Sequence, residues 1–510
     1  MTILSRRGFL AASAAAIAAA QIPRFAFAQT AAPIALSATT RTLDIDGRAA
    51  TVFGLTGPGG QGLTFDPGQR FRVDLTNNLD VPTIVHWHGQ IPPNAQDGAP
   101  NTVPLMAPGE TRSYDYETRP GTFWMHAHVP THEMRLLAAP LIVRTPEDLT
   151  ADRQEVVLFL HDFSFKAPEE VLEEIATGGA GHGEASPASN MSGAAMGNMP
   201  GMDHGAMPTG SGEGPMGGMP KGNMPDMGGM MGMDGMAMDL NDYNWDAYLA
   251  NDRTLSDPDV VQVERGGRIR LRVINAAAAT VFWIDTGAAQ ARLIAVDGDS
   301  VQPISGTRFG LAMAQRMDFE IDLPNVGGAW PILALREGAR ERTGLVLATP
   351  GAEVPRIDGL AENDAPAFDT DLSQEARLVA LHPLLERPVD RSQMIMLGGS
   401  MQPYAWTING AAWGRHQPIP ARAGERVSLM FHNMSMMGHP MHLHGHVFQV
   451  VGLNGRRVSG ALRDTVYVPP MAMVEIAVDA GEAARWMLHC HHMPHMASGM
   501  MTEFSVEASA

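Results

Sequence analysis

The chain has 510 residues, which is too long for one ordinary domain and predicts two to four domains. Hydrophobic residues make up 45% of it, as in a globular protein, and a formal net charge of −19 argues against nucleic acid or an anionic membrane as a partner. Its single cysteine, Cys490, excludes an intramolecular disulfide.

Residues 1–28 have the features of an export signal. A twin-arginine signature, Ser5-Arg6-Arg7-Gly8-Phe9-Leu10, precedes an Ala-rich apolar run and the small-x-small sequence Ala26-Phe27-Ala28. A buried N-terminal helix is the alternative, but the run is short, uncapped and flanked by basic residues. It is also shorter than the roughly 20 residues that cross a bilayer. We therefore expect export by the twin-arginine machinery to the periplasm and no membrane anchor in the mature chain.

Loss of the signal would remove three positive charges and change the net charge from −19 to −22. This acidic balance serves either solubility or the attraction of cations.

Three segments have the pattern of one recurring β-strand. Residues 68–77, 267–275 and 424–433 each begin at a glycine, alternate in polarity and end at an asparagine. Alternation with period two in Val- and Ile-rich runs indicates half-buried strands. The repeat predicts three related β-sandwich units, which we place at 29–148, 154–350 and 360–508.

Pairs of the form His-x-His recur in the outer two units. In each outer unit, the first pair begins nine residues after the asparagine that ends the recurring strand, and the middle unit has Ile284 at that distance. A second pair follows further along each outer unit, and the middle unit has Leu333 and Leu335 at the matching positions. The four pairs are His86/His88, His126/His128, His442/His444 and His489/His491. Alternate residues of a strand share a face, so each pair presents two imidazoles on one side. Structural histidines would not recur in register in two units and vanish from the third, so we interpret the pairs as metal ligands.

Residues 178–240 of the middle unit form a low-complexity insert of Gly, Pro and Met. It has too few bulky apolar residues to form a core, so we expect it to be disordered. Thioether sulfur prefers Cu(I), and the insert therefore predicts recruitment of that ion; a flexible linker is the alternative. Fourteen of the 35 methionines lie in it: Met191, Met196, Met199, Met202, Met207, Met216, Met219, Met224, Met227, Met230, Met231, Met233, Met236 and Met238.

The third unit contains the ligands of a second kind of metal site. His495 and Met500 follow Cys490 at spacings of five and ten, and His439 comes from an upstream loop. Two imidazoles, a thiolate and a weak axial thioether describe a blue-copper electron-transfer site. Met501 is the alternative to Met500, which the spacing favours. Of the histidines outside these motifs, we expect four to be structural: His161, His382, His416 and His432.

These motifs resemble those of the multicopper oxidase family, in its three-domain bacterial copper-resistance and laccase-like branch. The resemblance runs from about residue 40 to the end and implies an all-β chain of three cupredoxin-like Greek-key sandwiches. It implies four copper ions as cofactors. The type 1 ion would take His439, Cys490, His495 and Met500, the type 2 ion His86 and His442, one type 3 ion His88, His126 and His491, and the other His128, His444 and His489.

By the same resemblance, an electron from the substrate would pass through Cys490 to its neighbours, and four electrons would reduce dioxygen to water. Asp97 matches the family's acidic proton donor, with a simple turn residue as the alternative. Many relatives have an acid where this chain has Met496; Glu133 and His132 are candidates to compensate.

The substrate that we expect is Cu(I), in copper tolerance, with small phenols or aromatic amines as the alternative. A non-catalytic copper-binding or scaffold protein is a minor alternative, because none of the twelve ligand positions is lost. We expect a monomer.

Overall fold

The computed structural model describes residues 32–178 and 240–509. Its strands fall into three successive groups, and each group forms two sheets. The predicted signal sequence and the fourteen methionines of the insert lie outside the described residues.

The first unit pairs a five-stranded sheet, in the order β3-β2-β1-β5-β7, with a four-stranded sheet, β4-β9-β8-β6. Its strands are β1 (Ile34–Ile45), β2 (Arg48–Gly57), β3 (Gly60–Gln61), β4 (Leu63–Phe65), β5 (Arg70–Asn77), β6 (Val85–His88), β7 (Thr111–Glu117), β8 (Gly121–Ala127) and β9 (Ala138–Val143).

The second unit has the sheets β11-β10-β13-β18-β15-β16 and β12-β20-β19-β14-β17. Its strands are β10 (Gln154–Phe163), β11 (Ala247–Ala250), β12 (Asp259–Gln262), β13 (Arg268–Asn275), β14 (Phe282–Asp285), β15 (Ala291–Val296), β16 (Asp299–Gly306), β17 (Arg308–Leu311), β18 (Arg316–Asp322), β19 (Ala329–Arg336) and β20 (Arg342–Ala348).

The third unit has the sheets β22-β21-β24-β30-β26-β27, with β28 beside β26, and β23-β32-β31-β25-β29. Its strands are β21 (Arg391–Met401), β22 (Tyr404–Ile408), β23 (Ile419–Arg422), β24 (Arg426–Asn433), β25 (His439–Leu443), β26 (Phe448–Leu453), β27 (Arg456–Arg457), β28 (Leu462–Arg463), β29 (Thr465–Val468), β30 (Met473–Asp479), β31 (Arg485–Cys490) and β32 (Met501–Glu507).

Helices are short throughout the described part of the chain. They are α1 (Pro130–Glu133), α2 (Pro146–Thr150), α3 (Pro168–Thr177) and α4 (Met493–Ala497), with 3₁₀ turns at Asn94–Gln96 and Glu375–Arg377. Within 32–178 and 240–509, none of them has the length and apolar character that a membrane span requires.

The core of each unit lies between its two sheets. In the first unit β5 alternates in burial, and Phe71, Val73 and Leu75 are fully buried in one cluster with Trp87 of the facing sheet. Corresponding clusters fill the second and third units. The predicted all-β fold of cupredoxin-like sandwiches is confirmed, whereas the exact domain boundaries drawn from the sequence stay predictions.

The recurring asparagine has the same structural task in all three units. Asn77, Asn275 and Asn433 end β5, β13 and β24, and each side-chain amide donates to one backbone carbonyl four or five residues on and to another 29–36 residues on, at 2.7–3.1 Å. Each side-chain oxygen accepts the N–H two residues on. The asparagine thus satisfies the backbone where the chain crosses from one sheet to the other, which explains why the next strand begins at a fixed distance.

The middle unit keeps the strand pairing of the outer units but replaces the imidazoles with apolar side chains. Ile284 on β14 lies opposite Ala334 on β19, and both are fully buried. The sequence comparison placed Leu333 and Leu335 at the histidine positions, and this was wrong by one residue, because strand register follows hydrogen-bonded pairing rather than similarity of sequence.

Candidate metal centre

Four strands bring eight histidines together where the first and third units pack. In the first unit His86 on β6 lies opposite His126 on β8, and in the third His442 on β25 lies opposite His489 on β31. The second histidine of each pair follows two residues later on the same side. None of the eight is more than 4% exposed: His86, His88, His126, His128, His442, His444, His489 and His491.

The ligand groups expected from the sequence are one pair and two trios of these imidazoles, and rings of different groups also lie close: His86 stacks on His444 at 3.8 Å and His88 on His442 at 3.7 Å. The Nε2 atoms of His86 and His442 are 3.4 Å apart. One trio has ring centroids 5.0–5.6 Å apart and the other 5.0–5.2 Å apart. The trios are His88, His126 and His491, and His128, His444 and His489. Every group draws on both units, so the centre exists only where the two units meet.

Hydrogen bonds on the outer side of the rings orient them. The Nδ1 atoms of His86 and His442 each lie 2.8 Å from a backbone carbonyl, those of Asp97 and Asp464. His489 Nδ1 lies 3.0 Å from the carbonyl of the next residue. An Nδ1–H that donates outward leaves Nε2 as an acceptor toward the centre, which is the form in which imidazole binds a metal.

The donor set fits metal ions. Burial lowers the pKa of all eight imidazoles below the ordinary value, so the rings are neutral. The Nε2 atoms of His126, His128 and His491 have no hydrogen-bond partner among the described residues. Buried acceptors without partners are costly, and a metal ion would satisfy them.

A second cluster lies inside the third unit. Cys490 Sγ is 3.7 Å from Nδ1 of both His439 and His495, and these two nitrogens are 3.2 Å apart. All three residues are fully buried, and Met500 is fully buried in the same core. Met501, on β32, is partly exposed and pairs with His489 on β31. The burial of Met500 agrees with the preference given to it on spacing.

Cys490 connects the two clusters through the backbone. It lies between His489 and His491, and alternation along the chain directs it to the side away from both imidazoles. Burial raises the pKa of its thiol above the ordinary value, so the thiolate needs a cation beside it.

Comparison with known proteins agrees with this geometry. Models of the multicopper oxidase family match residues 39–148, 207–349 and 386–510. The chain is 31% identical to multicopper oxidase MmcO of Mycobacterium tuberculosis, over 98% of this chain and 96% of that one. The chain belongs to the multicopper oxidase family.

Two further comparisons give a similar protein by sequence and the same fold by structure. A copper resistance protein A homolog of Pseudomonas syringae is 25% identical over 91% of this chain and 90% of its own length. The crystal structure of a multicopper oxidase from Pseudomonas thermotolerans has the same fold, with a TM-score of 0.64 and 21% identity over 92% of this chain and 98% of that one. The protein is therefore a copper-dependent oxidoreductase that couples oxidation of a reducing substrate to reduction of dioxygen.

Asp97 lies at the edge of the imidazole centre of this oxidase. Its Oδ2 is 2.7 Å from His444 Nδ1, and its Oδ1 is 3.5 Å from His86 Nδ1. Burial raises the pKa of Asp97 to about 8. The residue also ends the 3₁₀ turn Asn94–Gln96, so it is both a turn residue and a contact of the centre.

Glu133 contacts the other trio. Its Oε2 is 2.7 Å from His126 Nδ1, and its Oε1 is 3.8 Å from His491 Nδ1. Burial raises its pKa well above the ordinary value. His132, the other candidate named from the sequence, bonds Thr83 instead. The centre thus has a buried carboxyl group beside each trio.

Arg316 and Asp464 are contacts of the centre that no sequence motif marks. Arg316, from the unit without metal ligands, donates to Asp464 Oδ1 and Oδ2 at 2.7 and 2.5 Å and to the carbonyl of Thr122 at 3.2 Å. Asp464 Oδ1 lies 3.1 Å from His88 Nε2, which leaves His88 Nδ1 without a partner. This ring is therefore turned the opposite way from His86.

Gly89 makes room for this ion pair. It has φ +83°, and a Cβ there would lie 2.5 Å from Phe123 Cδ1 and 2.7 Å from both Arg316 Nη2 and Asp464 Oδ2. The glycine after the first His-x-His pair is thus required by the close approach of Phe123 and of the ion pair.

Asp242 is a further residue that the sequence did not reveal. Its Oδ2 accepts from the Tyr404 hydroxyl at 2.5 Å and lies 3.4 Å from His495 Nε2. It orients His495 from outside the second cluster. No spacing marked it, because it comes from a distant part of the chain.

Replacement of Arg316 by Met should damage both stability and metal loading. Removal of one partner of a buried ion pair costs roughly 3–5 kcal/mol, and Asp464 would no longer hold His88 in place. We expect a lower melting temperature of the metal-free protein and less copper bound after reconstitution. Calorimetry and metal analysis measure the two effects.

Arg268→Met is the matched control for this variant. Arg268 pairs with Asp322 at 3.0 Å, but both side chains are more than half exposed, so the change should cost about 1 kcal/mol or less. An Arg316→Met protein that melts and loads copper like this control would refute the role of the ion pair.

Proposed function

We propose that the oxidase holds four copper ions in the two clusters. The type 1 ion has His439, Cys490, His495 and Met500 as ligands, the type 2 ion His86 and His442, one type 3 ion His88, His126 and His491, and the other His128, His444 and His489. Two of these sets support the assignment, because the ligand atoms of His128, His444 and His489, and those of His439, Cys490 and His495, lie within 4.8 Å of one another. When bound, the copper ions supply one-electron oxidation of the substrate and four-electron reduction of dioxygen to water.

The residues of the chain provide the path and the protons. The observation that carries the proposal is the sequence His489-Cys490-His491, which joins the two clusters within three residues. We propose that electrons pass along this segment from the second cluster to the imidazole centre. Asp97 is the proton donor beside the His444 trio, and Glu133 holds a second proton beside the His126 trio.

Replacement of Cys490 by Ser should reduce bound copper from four ions per chain to three. It should also abolish the blue colour and oxygen uptake with every donor, because a hydroxyl does not replace the thiolate. Metal analysis and visible absorption measure the change.

The control is His161→Gln, which removes a buried histidine of the middle unit that lies outside both clusters. It should retain four ions and the colour. A Cys490→Ser protein that retains them would contradict the assignment.

Cu(I) is the substrate that we propose, in copper tolerance. The fourteen methionines of the insert support it, because thioethers prefer Cu(I). Relatives named copper resistance protein A span most of this chain. Relatives named laccase support phenols as the second candidate. Oxygen consumption with Cu(I), Fe(II) and a phenol, measured side by side, separates the two substrates, and no uptake with any of them would indicate a non-catalytic copper protein.

Deletion of residues 190–238 should reduce the rate with Cu(I) at low concentration while leaving the copper content at four. An insert of the same length with all fourteen methionines replaced by Ser is the matched control for length. If the deletion and the Ser variant both oxidise Cu(I) like the intact enzyme, the recruitment role is wrong. A gain in phenol oxidation by the deletion alone would indicate that the insert shields the second cluster.

We also propose that residues 1–28 direct the folded protein to the periplasm as a monomer. Arg6 and Arg7 support twin-arginine export. Replacement of both by Lys should leave the precursor in the cytoplasmic fraction; periplasmic activity equal to that of the unchanged protein would exclude this route.

A further inference from the structure

Methionine and histidine side chains form a row across the outer face of the third unit. Met396 on β21 pairs with His432 on β24, which in turn pairs with Met473 on β30. The neighbours of these residues on the same strands, Leu397 and Phe431 among them, are fully buried in the core. Since side chains alternate between the faces of a sheet, the row points outward.

A second row lies beside the first. Met394 pairs with Met430 on the same two strands, two residues earlier, and Met394 is 55% exposed. Side chains directly opposite on neighbouring strands have Cβ atoms about 4.5–5.5 Å apart. Long, unbranched methionine side chains at that spacing reach a common point with an imidazole between them.

The His432 ring is free to bind a ligand. The described residues give it no hydrogen bond, ion pair or ring contact. Glu475, which lies opposite Met430, differs, because it accepts a hydrogen bond from Ser428 at 2.6 Å and lies near Arg457. The row therefore offers two thioethers and one imidazole without a competing carboxylate.

This donor set selects a soft monovalent cation. Thioether and imidazole ligands suit Cu(I), whereas Ca²⁺ and Mg²⁺ require oxygen. We propose that Met396, His432 and Met473 form a Cu(I)-binding site on the surface of the third unit, with Met394 and Met430 beside it. His432, which the sequence analysis placed among the structural residues, is its central ligand.

The site lies near the end of β24, where the chain continues into the second cluster, which holds the proposed type 1 ligands. A five-residue loop, 434–438, connects the end of β24 to His439. Met434 in this loop is 57% exposed, and the hydroxyl of Ser435 is 2.9 Å from His439 Nε2. A cation on the row is thus held beside the loop that positions a ligand of the electron-accepting cluster. The choice of Cu(I) as the natural ligand rests on the proposed cuprous oxidase function. The presence of two thioethers and one imidazole on this face does not depend on that function.

Binding of Ag(I), which mimics Cu(I) without redox chemistry, tests the site. The protein for this test is the copper-loaded, full-length enzyme in which the fourteen insert methionines are replaced by Ser, so that the insert does not compete for Ag(I). In a competition titration, two variants should each bind one Ag(I) ion fewer: His432→Gln, and the double variant Met396→Leu with Met473→Leu. The affinity of this site should fall by at least roughly tenfold, because even loss of a residue that only contacts a metal ligand costs about that much. Leucine keeps the volume of methionine, and unchanged melting temperatures confirm folding.

Met471→Leu is the matched control, because Met471 is 59% exposed but lies outside both rows. An equal loss in this control, or unchanged Ag(I) binding in the row variants, would overturn the proposal. Oxygen uptake with Cu(I) by the unsubstituted enzyme tests the proposed function separately: no uptake with an intact Ag(I) site would refute the cuprous oxidase and leave the surface site standing.

Discussion

The buried ion pair of Arg316 and Asp464 is the interaction on which the metal centre depends. Arg316 belongs to the second unit, is not one of the expected metal ligands, and is fully buried. Through Asp464 it fixes His88 of the first unit, and the Asp464 carbonyl accepts from His442 of the third. Arg316 also donates to the carbonyl of Thr122 in the first unit. One guanidinium therefore sets the relative position of all three units where the imidazoles converge, and a fork of fixed geometry suits that task.

A wider network protects this pair from the cost of burial. Asp297 lies 3.6 Å from Arg316 and 3.0 Å from Arg463, which in turn pairs at 2.8 Å with Glu375 of the 3₁₀ turn Glu375–Arg377. Buried charges are tolerated when each has partners of opposite sign and satisfied hydrogen bonds. The middle unit thus contributes charge and rigidity instead of ligands, which explains why its equivalent of the histidine positions, Ile284 opposite Ala334, is apolar core.

Local sequence patterns predicted which histidines lie together, because strand periodicity and the repeated asparagine determine where their strands begin and which face they share. Each His-x-His pair is defined by residues two apart, and each strand start by Asn77 or Asn433. The groups around the ligands could not be predicted, because they come from distant parts of the chain: Asp464 is 376 residues from His88, and Arg316 is 148 residues from Asp464. Glu133 was named only as a compensating acid, since its contact with His126 depends on how α1 folds back over β8.

The unpaired nitrogens of the centre imply that metal and fold stabilise each other. Eight neutral imidazoles are buried at a contact between two units, and several ring nitrogens have no partner among the described residues. Each such group carries a desolvation cost in the metal-free protein that a bound ion would remove. Binding to the folded state alone then raises stability by mass action. The interface between the first and third units is consequently the part of the molecule whose stability should depend most on copper, while the middle unit, joined to it through Arg316, should respond only indirectly.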